Sequence, residues 1–296
     1  MSSKAEAEDP VAELIGLLDL ETVELNIFRG SSPRDRSQRV FGGQVLAQAL
    51  VAADRTITDR ICHSLHAYFL LPGDPKIPIL YEVDRSRDGR SFSSRRVVAI
   101  QHGRPIFHMS ASFQAEESGL EHQLPAPSVP PPESLATEEE LRRQIVDRIP
   151  KAFRQHFARK RPIELRPVEP IDILDPGKHP PHQAIWVRTT GALPDDFALH
   201  RCVLAYASDM TLIDTALRPH GISWLSGRLQ IASIDHAMWF HHRFRADEWL
   251  LYVLDSPSAS GARGFSRGLV YTRGGQLVAS VAQEGLIRVR PADESS

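Results

Sequence analysis

A weak internal repeat constrains the fold of this chain more than any other feature of its sequence. His66-Ala67 in the first half matches His236-Ala237 in the second, and His102-Gly103 matches Arg273-Gly274 at nearly the same separation. Each half also has the same order of elements, an alanine-containing helix followed by strands that are joined by tight turns. Because a repeat determines the architecture, we predict an α+β fold made of two similar units in tandem.

The elements predicted in the two halves correspond to each other. The first helix is expected over Gln44 to Ala53 and its counterpart over Ala198 to Leu217. Asp88-Gly89, His102-Gly103 and Gly274-Gly275 are signals for tight turns. The strands are expected near residues 65–71, 79–84, 92–101, 105–113, 231–241, 249–255, 265–272 and 276–289. One helix beside a mostly antiparallel sheet, twice over, indicates that each sheet curls around its helix.

A proline-rich segment separates the two halves. Pro125 to Pro132 contains five prolines and resists both helix and sheet pairing, so it is expected to be a stiff connector. Thr137 and Glu140 have the spacing of a capping box and predict a short helix after it. The predicted organisation is an N-terminal unit over residues 1–115, a linker with a short helix over 116–165, and a C-terminal unit over 166–296.

Charge and cysteine content limit the partners and the compartment. A formal net charge of -2 provides no basic field for nucleic acid or for stable association with an anionic membrane. Cys62 and Cys202, far apart in apolar stretches, do not form a disulfide framework and favour a reducing compartment. The apolar runs are too short for a membrane span, and residues 292–296 do not resemble a peroxisomal address. We therefore expect a cytoplasmic protein.

Several familiar catalytic motifs are absent from the sequence. It contains no His-Glu-x-x-His pair, Cys-x-x-Cys pair, Walker loop or Gly-x-Gly-x-x-Gly turn, and its one Gly-x-Ser-x-Gly match, Gly264 to Gly268, lies in a predicted strand and not at a turn into a helix. A serine hydrolase of the α/β type is therefore disfavoured. No metal and no cofactor are expected.

Longer motifs in both halves carry a family resemblance over about Leu14 to Arg290. The motifs of the second half are Ala207-Ser208-Asp209, Gln230 to His241, Ser258 to Phe265 and Val281 to Gly285, and those of the first are Val40 to Gln44, His63 to Asp74 and Arg87 to Arg96. In this order they resemble the acyl-CoA thioesterase II family. The resemblance implies a double hotdog fold, in which two hotdog units lie in tandem, and hydrolysis of fatty acyl-CoA to free fatty acid and CoA.

The resemblance also implies the catalytic residues. In this family an Asp, a Thr or Ser and a Gln hold a water molecule against the thioester carbonyl, and by motif these residues are Asp209, Ser233 and Gln283. Ser233 departs from the Thr of many members, but it keeps the hydroxyl group. Adjacent strand residues point to opposite faces, so Asp235 and His236 do not form a dyad and no local Ser-His pair is evident. Direct attack by water is therefore expected.

Candidates for substrate binding are less specific. Gly42 and Gly43 open a helix whose N–H groups could face the thioester oxygen or a CoA phosphate, although a tight turn would also explain them. His63 is a candidate for the substrate groove, with a hydrogen-bonded structural histidine as the alternative. Arg263 is a candidate for contact with CoA. The other arginines that suit phosphate, or a plain solvated face, are Arg85, Arg87, Arg90, Arg95, Arg96 and Arg267.

Two alternatives to the thioesterase are considered. Hotdog folds also carry out enoyl-CoA hydration and dehydration, but the Asp-x-Asn-Pro-x-His motif of those enzymes is missing. A non-catalytic acyl-CoA-binding protein would not need Asp209, Ser233 and Gln283 together. Acyl-CoA is the expected partner, and double-hotdog chains could assemble into a homo-oligomer.

Overall fold

The computed structural model describes residues 9–33, 38–149, 154 and 159–290. The C-terminal residues 292–296, whose sequence bears on a peroxisomal address, lie outside the described residues. The α-helices of the described part are α1 (Pro10–Leu18), α2 (Gly42–Asp54), α3 (Glu138–Ile145), α4 (Phe197–Ser208) and α5 (Leu212–Leu217). The strands are β1 (Glu21–Glu24), β2 (Ile27–Gly30), β3 (Ile61–Phe69), β4 (Ile79–Asp88), β5 (Phe92–Gln101), β6 (Arg104–Gln114), β7 (Ile163–Pro167), β8 (His182–Thr189), β9 (Leu229–Ser233), β10 (Asp235–Phe240), β11 (Leu250–Ser260), β12 (Arg263–Thr272) and β13 (Leu277–Val289).

The strands form one antiparallel sheet that runs through both halves. Its order is β1-β2-β4-β5-β6-β3-β10-β13-β12-β11-β8-β7, with β9 paired to β13. The halves meet where β3 pairs with β10, and there His66 lies opposite Ala237 while Ala67 lies opposite His236. The two matched dipeptides of the repeat thus face each other across a local pseudo-twofold axis. The predicted α+β double hotdog is confirmed.

Helices α2 and α4 pack against each other inside the curled sheet. α2 is rich in small buried residues such as Ala47, Ala49 and Ala52, which let a neighbouring helix approach closely. A Cβ atom added to Gly43 would lie 2.4 Å from the Tyr206 carbonyl oxygen. Asp54, at the end of α2, pairs with Arg201 near the start of α4 at 3.0 Å. The helices are therefore antiparallel, with the first turn of α2 beside the last turn of α4.

The prediction of a single helix over Ala198–Leu217 is wrong. α4 ends at Ser208, Asp209 is its C-cap with φ -78° and ψ -5°, and α5 begins only at Leu212. The side chain of Asp209 is thereby freed from the helix surface and turns towards α2. The strand expected over Ile231–His241 is also divided, because Ile234 separates β9 from β10.

The linker packs on the outer face of the C-terminal sheet. Ala126 and Val129 contact an apolar cluster that contains Trp186 and Trp249, and the indole Nε1–H of Trp186 donates to the Pro130 carbonyl at 2.9 Å. The predicted capping box of α3 is confirmed by reciprocal bonds between Thr137 and Glu140. The division at residues 115 and 165 remains a proposal, and its second boundary falls inside β7.

No helix in the described part of the chain is both long and apolar enough to cross a bilayer.

Candidate active site

The three residues proposed for catalysis meet at the end of α4. The Asp209 side chain is only 3% exposed. Ser233, the last residue of β9, donates its Oγ–H to Asp209 Oδ1 at 3.0 Å. Gln283 in β13 donates an Nε2–H to the same oxygen at 2.5 Å. A carboxylate, a hydroxyl and an amide from three separate elements are therefore held in direct contact.

Gly42 and Gly43 bring the first half of the chain to this carboxylate. A Cβ atom on Gly42 would lie 2.7 Å from Asp209 Oδ2, so a side chain there would displace the acid. The Gly43 backbone N–H donates a hydrogen bond to Asp209. The N-terminus of α2 also contributes its positive dipole end to the site. The site is therefore built by both units of the repeat.

Burial and hydrogen bonds act in opposite directions on Asp209. Burial raises the pKa of its carboxyl group to about 6, while the donors Gln283, Ser233 and Gly43 lower that pKa and limit the rise. A carboxyl group with this pKa is ionised at neutral pH. It is also a stronger base than an ordinary aspartate, as a general base needs to be.

His236 is part of this cluster, which the strand alternation did not predict. It is fully buried, its Nδ1 lies 3.2 Å from Gln283 Nε2, and its Nε2 lies 2.9 Å from Ser208 Oγ. Since an amide NH₂ can only donate, we assign Nδ1 as the acceptor and place the proton on Nε2. Burial lowers the pKa of His236 to about 3, so the ring is neutral.

The role of His236 follows from its two partners. Both ring nitrogens are engaged, by Gln283 and by Ser208, and the hydroxyl of Ser233 is directed to Asp209. His236 therefore orients the Gln283 amide and does not pair with Ser233. The strand alternation missed it because the interruption at Ile234 changes which residues share a face.

The other candidate residues, His63, Arg263 and Arg95, make contacts outside the Asp209 cluster. His63 Nε2 is hydrogen-bonded to Ser112 Oγ at 2.8 Å, and the contacts found for it are within the first half. Arg263 forms an exposed ion pair with Glu284, the residue after Gln283. The alternative that Arg95 lies on a solvated face is wrong. Its guanidinium is buried and donates hydrogen bonds to Thr56 and Asp88.

Comparison with known proteins identifies the family. A model of the acyl-CoA thioesterase family matches residues 153–286, and a model of the acyl-CoA thioesterase N-terminal domain matches residues 31–114. Human acyl-coenzyme A thioesterase 8 is 44% identical over 93% of this chain and 88% of its own length. The chain belongs to the acyl-CoA thioesterase family. It is therefore a thioester hydrolase.

Two bacterial members of the acyl-CoA thioesterase family are similarly close. Acyl-CoA thioesterase 2 of Haemophilus influenzae is 43% identical over 95% of this chain and 98% of its own. The crystal structure of an acyl-CoA thioesterase II from Mycobacterium marinum superposes with a TM-score of 0.75 at 45% identity, covering 94% of this chain and 98% of that one. The similarity therefore extends through both halves and the linker.

The site in the second half of this acyl-CoA thioesterase has equivalent positions in the first half, which the repeat identifies. By the separation of the matched dipeptides, His63 corresponds to Ser233 and Ser112 to Gln283. The C-cap of α2 is Arg55, where α4 has Asp209. Arg55 turns away to bond Asp19 and the carbonyl of Leu20. The counterpart position keeps a hydrogen-bonded pair but lacks the carboxylate.

Proposed function

We propose that this chain hydrolyses fatty acyl-CoA to free fatty acid and CoA by direct attack of a water molecule held by Asp209, Ser233 and Gln283. The observation that carries the proposal is the contact of a buried carboxylate, whose pKa is raised to about 6, with a hydroxyl and an amide. A thioester requires an activated nucleophile. Asp209 can supply one by accepting a proton from water.

The proposed reaction balances with these groups alone. The oxygen of the water forms a bond to the thioester carbonyl carbon while Asp209 accepts one of its protons. The tetrahedral intermediate then collapses, the carbon–sulfur bond breaks, and the CoA sulfur takes the proton from Asp209. We propose that the backbone N–H of Gly42, at the first position of α2 where no intrahelical acceptor exists, stabilises the developing oxyanion.

The hydrogen bonds around Gln283 support its part in holding the water. Its Nε2 donates to Asp209 and lies within bonding distance of His236, which fixes the plane of the amide. Its buried Oε1 accepts no hydrogen bond from the described residues. A buried acceptor without a partner costs free energy, and an O–H of the attacking water would satisfy it.

The substitution Asp209→Asn tests the assignment of the base. We expect this variant to release CoA from dodecanoyl-CoA at least about a hundredfold more slowly than the wild type, the scale of a lost general base. The rate is measured with a thiol reagent. Asp255→Asn is the matched control, since Asp255 is an exposed acid paired with Arg267, and its rate should stay near that of the wild type.

Mass spectrometry of the enzyme quenched during turnover separates the two possible nucleophiles. Attack by water leaves the protein unmodified, whereas attack by Ser233 leaves an acyl group on its oxygen. We expect no adduct. An acyl group mapped to Ser233, or normal turnover by a folded Asp209→Asn variant, would refute the proposed mechanism.

We propose further that the enzyme acts in the cytoplasm, without stable association with membranes. The near-neutral net charge and the two buried, free cysteines, Cys62 and Cys202, support this placement. Recovery of the native protein in the supernatant after cell lysis and removal of membranes is the expected result. A homo-oligomer of double-hotdog chains is also proposed and is tested by sedimentation.

A further inference from the structure

A cavity of about 830 Å³ lies between the linker and the C-terminal unit, and its wall includes residues next to the catalytic cluster. Met210 and Thr211, which directly follow Asp209, contribute to it. Ile231, in the same strand as Ser233 and two residues before it, contributes as well. The cavity thus lies beside the catalytic cluster, although Asp209, Ser233 and Gln283 do not themselves line it.

Aliphatic side chains from both sides form much of the wall. The linker helix α3 contributes Leu141 and Ile145, which are one turn apart on the same face of the helix. Strands β7 and β8 and helix α5 contribute Leu165, Ile185 and Leu217. A cavity of several hundred Å³ with a mainly apolar lining is typical of a site for an apolar organic group.

The charged residues of the wall do not favour the phosphates of CoA. Four arginines are matched by four carboxylates, and close pairs include Arg142 with Glu138 and Arg148 with Asp172, each at 3.7 Å. Burial raises the pKa of Asp214 to about 7, so this group is only partly ionised, but the pairing of the arginines still leaves little positive charge to bind a polyanion. Of the two arms of an acyl-CoA, the wall therefore suits the acyl arm.

We propose that this cavity binds the acyl chain of the substrate and that α3 of the linker is one of its walls. The inference rests on the proposed function, because it takes Asp209 as the point where the thioester lies. In this arrangement the linker does more than connect the two units. The side chains at positions 141 and 145 determine which acyl lengths are accepted.

A buried acyl chain gives a defined dependence on length. We expect kcat/KM of the wild type to rise about fourfold for each added methylene until the cavity is filled, the ratio that corresponds to the transfer of one CH₂ out of water. Butyryl-CoA engages little of the cavity, and dodecanoyl-CoA engages much of it. The comparison of these two substrates isolates the contribution of the wall.

The test places a tryptophan on each of two faces of α3. Ile145→Trp fills the cavity, and Arg143→Trp puts the same side chain at a position that is 70% exposed and outside the wall. We expect Ile145→Trp to lower kcat/KM for dodecanoyl-CoA at least tenfold while butyryl-CoA stays within about twofold of the wild type. Arg143→Trp should change neither value.

Other results of these assays would overturn either the acyl-chain inference or the proposed function. An unchanged chain-length profile in folded Ile145→Trp, an equal loss on both substrates, or the same selective loss in Arg143→Trp would overturn the inference while the wild-type activity upheld the proposed function. If Ile145→Trp does not fold, Ile145→Ala decides. That variant should lose a fewfold on dodecanoyl-CoA alone, and an unaltered profile would overturn the inference. A wild type that hydrolyses neither substrate would refute the proposed function itself.

Discussion

At the residue scale, the position of one carboxylate explains most of the site. Asp209 would be an unfavourable residue inside a helix, and at the C-cap of α4 it is instead buried against α2. Burial raises its pKa, and three donors keep the increase moderate. The motifs predicted Asp209, Ser233 and Gln283 as one set, and the structure brings their side chains into contact, while their role in catalysis stays a prediction. The contribution of His236 could not, because it depends on the interruption of a strand at Ile234.

The pH dependence of the reaction should report the ionisation of Asp209. The carboxylate is the active form, so kcat/KM should be low below the raised pKa, increase through about pH 6, and level off above it. Stopped-time thiol-release assays in buffers of constant ionic strength measure this curve. A flat profile between pH 5 and 8 would mean that another group is the base.

Substitutions of Ser233 should change both the rate and the position of that curve. Ser233→Ala removes a donor that lowers the pKa of Asp209, so the midpoint should move to higher pH and the plateau should fall by about ten- to a thousandfold. Ser233→Thr keeps a hydroxyl and should retain both. A Ser233→Ala variant with a lower midpoint would contradict the hydrogen bond as a determinant of this pKa.

At the element scale, packing between α2 and α4 determines features that local propensity does not. The residues from Ala198 to Leu217 suit one long helix, but α4 ends where Gly42 and Gly43 bring the first turn of α2 against it. Strands with clear turn signals, such as β5 and β12, could be predicted closely. β1, whose residues are all exposed, has no alternating apolar pattern and was not predictable from it.

The ion pair between Asp54 and Arg201 tests this helix contact. Both side chains are largely buried, and burial raises the pKa of Asp54 against the opposing effect of Arg201. Arg201→Met leaves an unpaired buried carboxylate and should lower the free energy of unfolding by about 3–5 kcal/mol. Urea denaturation measures the change. Adding Asp54→Leu should restore much of the loss, and a double variant no more stable than Arg201→Met would argue against the pair as its cause.

At the scale of the whole molecule, the duplication makes each half depend on the other. The pairing of β3 with β10 and the packing of α2 on α4 both cross from one half to the other. The repeat was visible in two dipeptides and predicted two similar units in tandem, and the resemblance to the acyl-CoA thioesterase II family implied the double hotdog. The path of the linker over Trp186 and Trp249 could not, since proline-rich sequence indicates stiffness and not direction.

The two halves expressed separately should therefore be inactive. The second half alone would expose the edge of β10 and would lack the N-terminus of α2 beside Asp209, so we expect aggregation or self-pairing. Size-exclusion chromatography and the thiol-release assay check both points. A monomeric and active fragment that begins near residue 160 would contradict the requirement for the first half.

The two units related by the pseudo-twofold axis contribute different residues to the proposed centre. Two identical hotdog units would generate two equivalent centres, but joining them in one chain lets each copy change independently. Here one copy has Asp209 at the end of its helix and the other has Arg55. The N-terminal unit borders the proposed centre through Gly42 and Gly43, and the C-terminal unit supplies its carboxylate. The proposed centre is therefore asymmetric, and its two sides can fit the two unlike arms of an acyl-CoA separately.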